Sequence, residues 1–151
     1  MKKIISMALV LIMLVCSVAT LTACGIPADY NDAKANLEDE GYKVTVDTTA
    51  LTINLMLGVF GVEDAKADAV LNGEKDDEAI ILIYCEDKDS ADEIVEKLEA
   101  FIEEAKEEID QMFDDKDSEE YKEAIAEFEV EIGKDGKVVY MATKQALKDV
   151  K

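Results

Sequence analysis

No histidine and no tryptophan occur among the 151 residues, and proline appears once. Without histidine, a Ser-His-Asp triad, a histidine general base and any histidine-containing zinc site are excluded. Without tryptophan there is no indole face to stack on a sugar ring. Basic side chains are scarce: 16 Lys and Arg stand against 36 Asp and Glu, a formal charge of −20. Nucleic-acid binding needs cations that displace counterions from phosphates, so this balance argues against it. The same charge disfavours an electrostatic grip on anionic lipid. Cysteine is also sparse, with Cys16, Cys24 and Cys85 the full set.

The amino terminus has the layout of a secretory signal. Lys2 and Lys3 form a short positive region, and Ile4 to Val15 is almost wholly apolar. At about a dozen residues that run is short for a bilayer span. Leu21, Thr22, Ala23 and Cys24 then read LTAC, which resembles the lipobox of bacterial lipoproteins, L-[AST]-[GA]-C. The resemblance implies signal recognition through Leu21, Thr22 and Ala23, and cleavage before Cys24. It further implies a covalent diacylglycerol on the Cys24 thiol, with or without an acylated amine. Palmitate is then a fitting label, and the chain sits on the extracytoplasmic face of the cell membrane. Two or three acyl chains hold a protein firmly where one holds it marginally. An ordinary secreted protein would share everything here except the box.

On that reading residues 1–23 are a signal peptide and 24–30 are the lipidated cysteine with a short tether. Residues 31–151 then form a single α+β domain. Loss of 23 residues leaves 128, enough for one core. The lost segment holds two lysines and no acid, so the remainder carries −22. Cys85 is left with no intramolecular partner, which excludes a disulfide framework. It ends the run Ala79 to Cys85, where a buried thiol serves as a small hydrophobe. A nucleophilic thiol needs a base or positive surroundings, and acids crowd this one.

Periodicity sets the elements. Tyr30, Ala33, Leu37 and Gly41 fall at spacings of 3 and 4, predicting a helix to Glu40 that ends on Gly41. Tyr42, Val44 and Val46 alternate as a strand. Residues 50–62 predict a short helix with a glycine-bearing end folded over the core; an exposed apolar flap at a membrane or ligand mouth is the alternative. Ala65 to Leu71 is weakly strand-like, with Asn72-Gly73 as a turn and Glu74 to Glu78 as a polar connection. Residues 79–85 are apolar on both faces and predict a central strand. Ser90 with Glu93 predicts a capping box opening a long helix. Its core stripe is Ile94, Leu98, Phe101, Ala105, Ile109 and Met112, and it ends near Phe113. Asp117 with Glu120 opens a second helix carrying Tyr121, Ile125 and Phe128. Residues 127–132 fit helix or strand. Lys134-Asp135-Gly136 predicts a turn, 138–141 a strand, and Thr143 the cap of a last helix. Together these give a small, mainly antiparallel sheet with helices over one face, residues 50–62 offering the other cover.

The stretch Tyr30-x-x-Ala33-x-x-x-Leu37-x-x-x-Gly41-Tyr42-x-Val44 carries a second resemblance. So does the end Gly136-x-Val138-Val139-Tyr140-x-x-Thr143-x-x-Ala146-x-Lys148. Both are similar to features of small uncharacterised surface lipoproteins of low-GC Gram-positive bacteria. That resemblance implies a fold type and a cell surface, with no substrate or catalytic residue to carry over.

Acid clusters are the remaining chemistry. Asp87, Asp89 and Asp92 form one, and Asp115, Asp117 and Glu119 another. Calcium needs about six or seven oxygens, which the EF-hand takes from D-x-[DN]-x-[DN]-G-x₅-E. Neither cluster matches, since Asp92 and Glu120 stand where that loop needs glycine. Carboxylates at helix entries explain both clusters without a metal. Paired carboxylates could serve a glycosidase across about 5–10 Å, but 36 acids make chance pairs abundant. The reading is therefore a non-catalytic binding or interaction module at the envelope, partnered by the bilayer and by an envelope protein or small ligand. The alternative is a self-associating structural protein.

A charge of −22 repels itself over about 30 Å at 0.01 M salt and about 10 Å at 0.1 M. The melting temperature should rise with sodium chloride across that range, followed by calorimetry. Calcium and magnesium at equal ionic strength should act alike, with no saturable calcium site tighter than about 0.1 mM. A rise of several degrees with micromolar calcium alone would return the acid clusters to consideration.

Overall fold

A computed structural model describes residues 25–62, 65–113, 115–126 and 129–151. In chain order the elements are α1 (Tyr30–Asp39), β1 (Lys43–Asp47), α2 (Ala50–Val59), β2 (Ala67–Lys75), β3 (Glu78–Cys85) and α3 (Lys88–Met112). They continue with α4 (Glu119–Ala126), β4 (Glu131–Asp135), β5 (Val138–Ala142) and α5 (Lys144–Asp149). The strands form one antiparallel sheet in the order β1-β2-β3-β5-β4. The α+β class read from the sequence is therefore the observed one. The signal peptide and Leu21 to Cys24 lie outside the described residues, as does Phe128.

Strand β3 is central and apolar on both sides. Ile80, Leu82 and Tyr84 face one cluster, with Ala33 and Leu37 of α1 and Ala146 and Leu147 of α5. Ile83 and Cys85 face the other, with Ile53 and Leu57 of α2 and Ala91, Ile94 and Leu98 of α3. Helices thus cover both faces, and α2 shares a face with α3 where the sequence suggested opposite covers. The reason is width. Five strands at about 4.8 Å span roughly 24 Å, while a helix with its side chains is about 10–12 Å across. Each face needs two helices, and both strands beside β3 supply apolar residues to both faces.

Helix α1 closes as predicted. Gly41 adopts φ +91°, and the Tyr42 and Gly41 N–H groups donate to the Leu37 and Glu38 carbonyls at 2.9 and 3.0 Å. The same pair of bonds recurs at the end of α2, from Val62 to Leu57 and from Gly61 to Gly58. Asn72-Gly73 makes no turn. Strand β2 runs on through it to Lys75, and the hairpin turns at Asp76-Asp77, with Asp76 at φ +50°. Gly73 is needed for a different reason: a Cβ there would stand 3.0 Å from Ile80 Cγ2 and 3.3 Å from Leu37 Cδ1. Its missing side chain is the seat of Leu37.

Helix α3 starts three residues before the expected box. Asp87 is its cap, accepting the Ser90 N–H at 2.7 Å, while the buried Ser90 Oγ accepts the Lys66 N–H at 3.1 Å. Serine therefore satisfies a neighbouring backbone donor, leaving the cap to the stronger acceptor. At 25 residues α3 is about 37 Å long, whereas the eight-residue β3 spans about 26 Å. Its far turns overhang the sheet. Met112, in the last turn, is accordingly 72% exposed. Phe101, predicted as core, is 38% exposed and meets the Phe60 ring edge-to-face at 5.1 Å, while Ile109, two turns further on, is buried. The turn expected at 134–136 sits one residue later, with Lys134 and Asp135 still in β4. Thr143 holds the cap position of α5, but its hydroxyl bonds the Glu78 carboxylate and no helix N–H. Residues 131–132 are strand, which decides that part of the helix-or-strand question.

Urea melts should separate the two positions on α3. Leu98→Ala, at a 2% exposed site, should cost about 2–5 kcal/mol, and Phe101→Ala only about 1 kcal/mol. Gly73→Ala should cost about 1–3 kcal/mol by crowding Leu37 and Ile80. A Phe101→Ala loss equal to that of Leu98→Ala would contradict this difference in burial.

Candidate functional site

The overhang of α3 creates the largest cleft described. It encloses about 620 Å³ between α3, α4 and β4, within the range of small-ligand sites. Among the described residues it is lined by the apolar Ile102, Ile125, Val130 and Ile132 and by the acids Glu99, Glu103, Glu107 and Asp110, with Lys106 the cation among them. Helix α4 has no buried residue and is held to α3 chiefly by polar bonds.

Asp110 is the centre of that attachment. Tyr121 donates its hydroxyl to Asp110 Oδ1 at 2.6 Å, and Lys116 Nζ bonds Oδ2 at 2.5 Å. Those two bonds hold the Asp110 carboxyl below its ordinary range and raise the Tyr121 phenol and the Lys116 amine. The Phe113 and Tyr121 rings meet edge-to-face at 5.9 Å, and Lys116 lies 6.0 Å from the Tyr121 centroid. Ser118 begins α4 by accepting the Tyr121 N–H at 3.2 Å, one residue after the predicted start. Ionised Asp110 thus fixes the width of the cleft. Its partners are 6 and 11 residues away across a loop, a spacing with no helical or strand period to signal it.

The sequence-predicted acids occupy caps, turns and ion pairs. Asp87 caps α3, and the Ser90 N–H keeps its carboxyl below the ordinary range. Asp89 lies in the first turn of α3, and Asp92 pairs with Lys134 across to β4. Asp115 accepts the Asp117 N–H at 3.0 Å in the loop before α4. Glu119 pairs with Lys122 at 3.5 Å. Among the described residues no three His, Cys, Asp or Glu side chains are grouped to hold a metal ion. Cys85 is buried, and burial pushes its thiol up to about 12, with Asp87 and Asp68 adding to the rise. A thiol protonated at neutral pH is a core residue here. Of the tyrosines only Tyr121 lines the cleft; Tyr42 and Tyr84 are core, and Tyr30 and Tyr140 pack against it.

Compared with known proteins, the chain matches no family model, no curated sequence and no solved structure.

Because the folded Asp110 carboxyl titrates below its unfolded value of about 3.9, its contribution is present above about pH 4 and is lost as pH falls further. Asp110→Asn should therefore melt below the parent at neutral pH, and the gap should close as pH falls through the lowered titration of the folded Asp110 carboxyl. Glu103→Gln removes the same charge from the cleft wall and is the control. Equal melting of both variants at pH 7 would show that Asp110 acts as bulk charge alone.

Proposed function

We propose that this chain is a lipid-anchored extracytoplasmic lipoprotein whose domain is a non-catalytic binding module. The observation that carries the reading is how soon after Cys24 the chain is packed onto the domain. Ile26 is buried in the core, and its N–H donates to Asp135 Oδ2 at 2.9 Å. Asp29 then caps α1 through the Asn31 N–H at 2.8 Å. The segment expected to be a tether is therefore packed onto the domain from Gly25 onward. Cleavage before Cys24 would leave Ile26 and everything after it in place, which fits a leader removed at that point. The acyl chains on Cys24 would then hold the domain against the bilayer with almost no slack.

The cleft is the binding surface in this reading. A lining of apolar side chains and acids suits a ligand that joins a cationic group to an apolar one. The alternative is self-association through an apolar sheet face or the 50–62 segment; helices cover both sheet faces, which leaves the exposed Leu51, Leu55 and Val59 of that segment as its route. The edge strands are five residues each and carry Lys43, Asp47, Glu131, Lys134 and Asp135, which discourage edge pairing.

Cys24→Ser removes the acceptor thiol, so the precursor should stay unprocessed and unlabelled by radioactive palmitate. Equal label in mutant and parent would falsify the anchoring. For the cleft, a short Lys-Ile repeat peptide should bind in a fluorescence-anisotropy titration and lose at least about tenfold in affinity to Glu103→Lys/Glu107→Lys. Unchanged affinity in that variant would place the binding elsewhere.

A further inference from the structure

Helix α2 carries an apolar side on which none of the described residues packs. Leu51, Leu55 and Val59, one turn apart, are 70%, 67% and 70% exposed, while Ile53 and Leu57 are buried on the opposite side. From Thr48 to Val62 there is no charged residue, in a chain where 34% of residues are charged. We infer that this side of α2 rests in the interface of the bilayer that the anchor reaches, so that the domain is held at two places. The inference rests on the lipid-anchored reading above.

Position in the sheet supports it. The strand pairings align Asp47, Val70, Ile83, Val139 and Lys134 in one row across all five strands. Asp135, which holds Ile26, is the next residue on β4, and Thr49, the cap of α2, donates its N–H to Asp47 at 2.7 Å. The point where the chain runs back to Cys24 and the start of α2 are therefore at the same end of the sheet, about 19 Å apart across it. From there α2 climbs toward α3, where Phe60 meets Phe101, about 20 Å along α3 from Lys88. Ile26 packs in the α1 and α5 cluster and α2 on the other face, so the domain must tilt toward its α2 side for Leu51 and Leu55 to reach the membrane.

The chemistry agrees. A neutral apolar contact is the kind of membrane grip open to a domain whose net charge repels anionic lipid. At ten residues α2 is about 15 Å long, half of a bilayer core, so it can lie in the interface but cannot cross. No described helix is long and apolar enough to span. A second copy is the weaker occupant: three side chains on a 15 Å helix fall well short of the roughly 800 Å² per partner that stable dimers bury.

The absence of native tryptophan makes the test direct. Leu51→Trp, Leu55→Trp and Val59→Trp are each introduced into the full chain, with Asp39→Trp at the far end of α1 as control. The processed proteins are reconstituted into phosphatidylcholine vesicles with and without brominated acyl chains. Leu51→Trp and Leu55→Trp should shift to the blue and lose at least about half their emission to bromolipid, Val59→Trp less, and Asp39→Trp almost none, as a shallow insertion of about 5–10 Å requires. Unshifted, unquenched Leu51→Trp and Leu55→Trp in protein that carries acyl mass and floats with the vesicles would overturn the inference and leave the anchor standing. Protein without acyl mass that stays in the dense fraction would overturn both. A blue shift that bromolipid does not quench, with a dimer mass in light scattering, would assign α2 to a second copy and also overturn it.

Discussion

The arrangement of this protein depends on strand β3 being apolar on both sides of its pleat. Such a strand is stable only at the centre of a sheet with a cover on each face. The neighbours β2 and β5 meet the same demand by splitting their residues: Leu71 and Val138 go to one face, Val70 and Val139 to the other. Two helices on each side then follow from the width of five strands. Tyr42 and Asn36 lock one of these layers, donating to Asp149 at 3.0 Å and to the Val150 carbonyl at 3.0 Å, which ties α1 and β1 to the end of the chain.

The two covers differ in what they leave over. The α1 and α5 layer is built of helices of ten and six residues that do not outrun the sheet. In the other layer α3 is longer than the strands and α2 is more apolar than its contact requires. Those two surpluses generate the features available for function. The excess length of α3 makes a cleft that α4 closes through Asp110, and the excess hydrophobicity of α2 makes an exposed apolar strip. Both lie on the sheet face away from α1 and α5, so one side of the domain chiefly supports and the other presents.

Charge works against compactness throughout. Most acids are solvated, and the few with defined partners serve as caps or clasps: Asp87 on α3, Asp29 on α1, Asp92 with Lys134, Asp110 with Lys116 and Tyr121. Exposed pairs of this kind contribute little each, so the net repulsion must be offset by the two apolar clusters. The acid-rich loops, read from the sequence as helix entries, hold their carboxylates on backbone N–H groups at Asp87 and Asp115. A carboxylate whose lone pairs are engaged by backbone N–H groups is less available to an ion.

Local patterns determined much of this chain by themselves. The Gly41 helix end, the strand 79–85, the stripe through Ile94 and Leu98, and the class of fold all depend on interactions within a few residues or on which sides of an element are apolar. The resemblance of Leu21 to Cys24 to a lipobox is linear as well, and it is legible without any fold. Tertiary structure decided what depends on lengths and distant partners. It moved the turn from Asn72-Gly73 to Asp76-Asp77, because Leu37 needs the space at Gly73. It left Phe101 38% exposed while burying Ile109, because a helical stripe does not say which of its residues the neighbouring elements reach. It joined Asp110 to Tyr121 and Ile26 to Asp135, contacts 11 and 109 residues apart that no repeat announces. A sequence specifies which faces must be buried, but which partner buries them, and what is left uncovered, is settled only when all the elements compete for the same sheet.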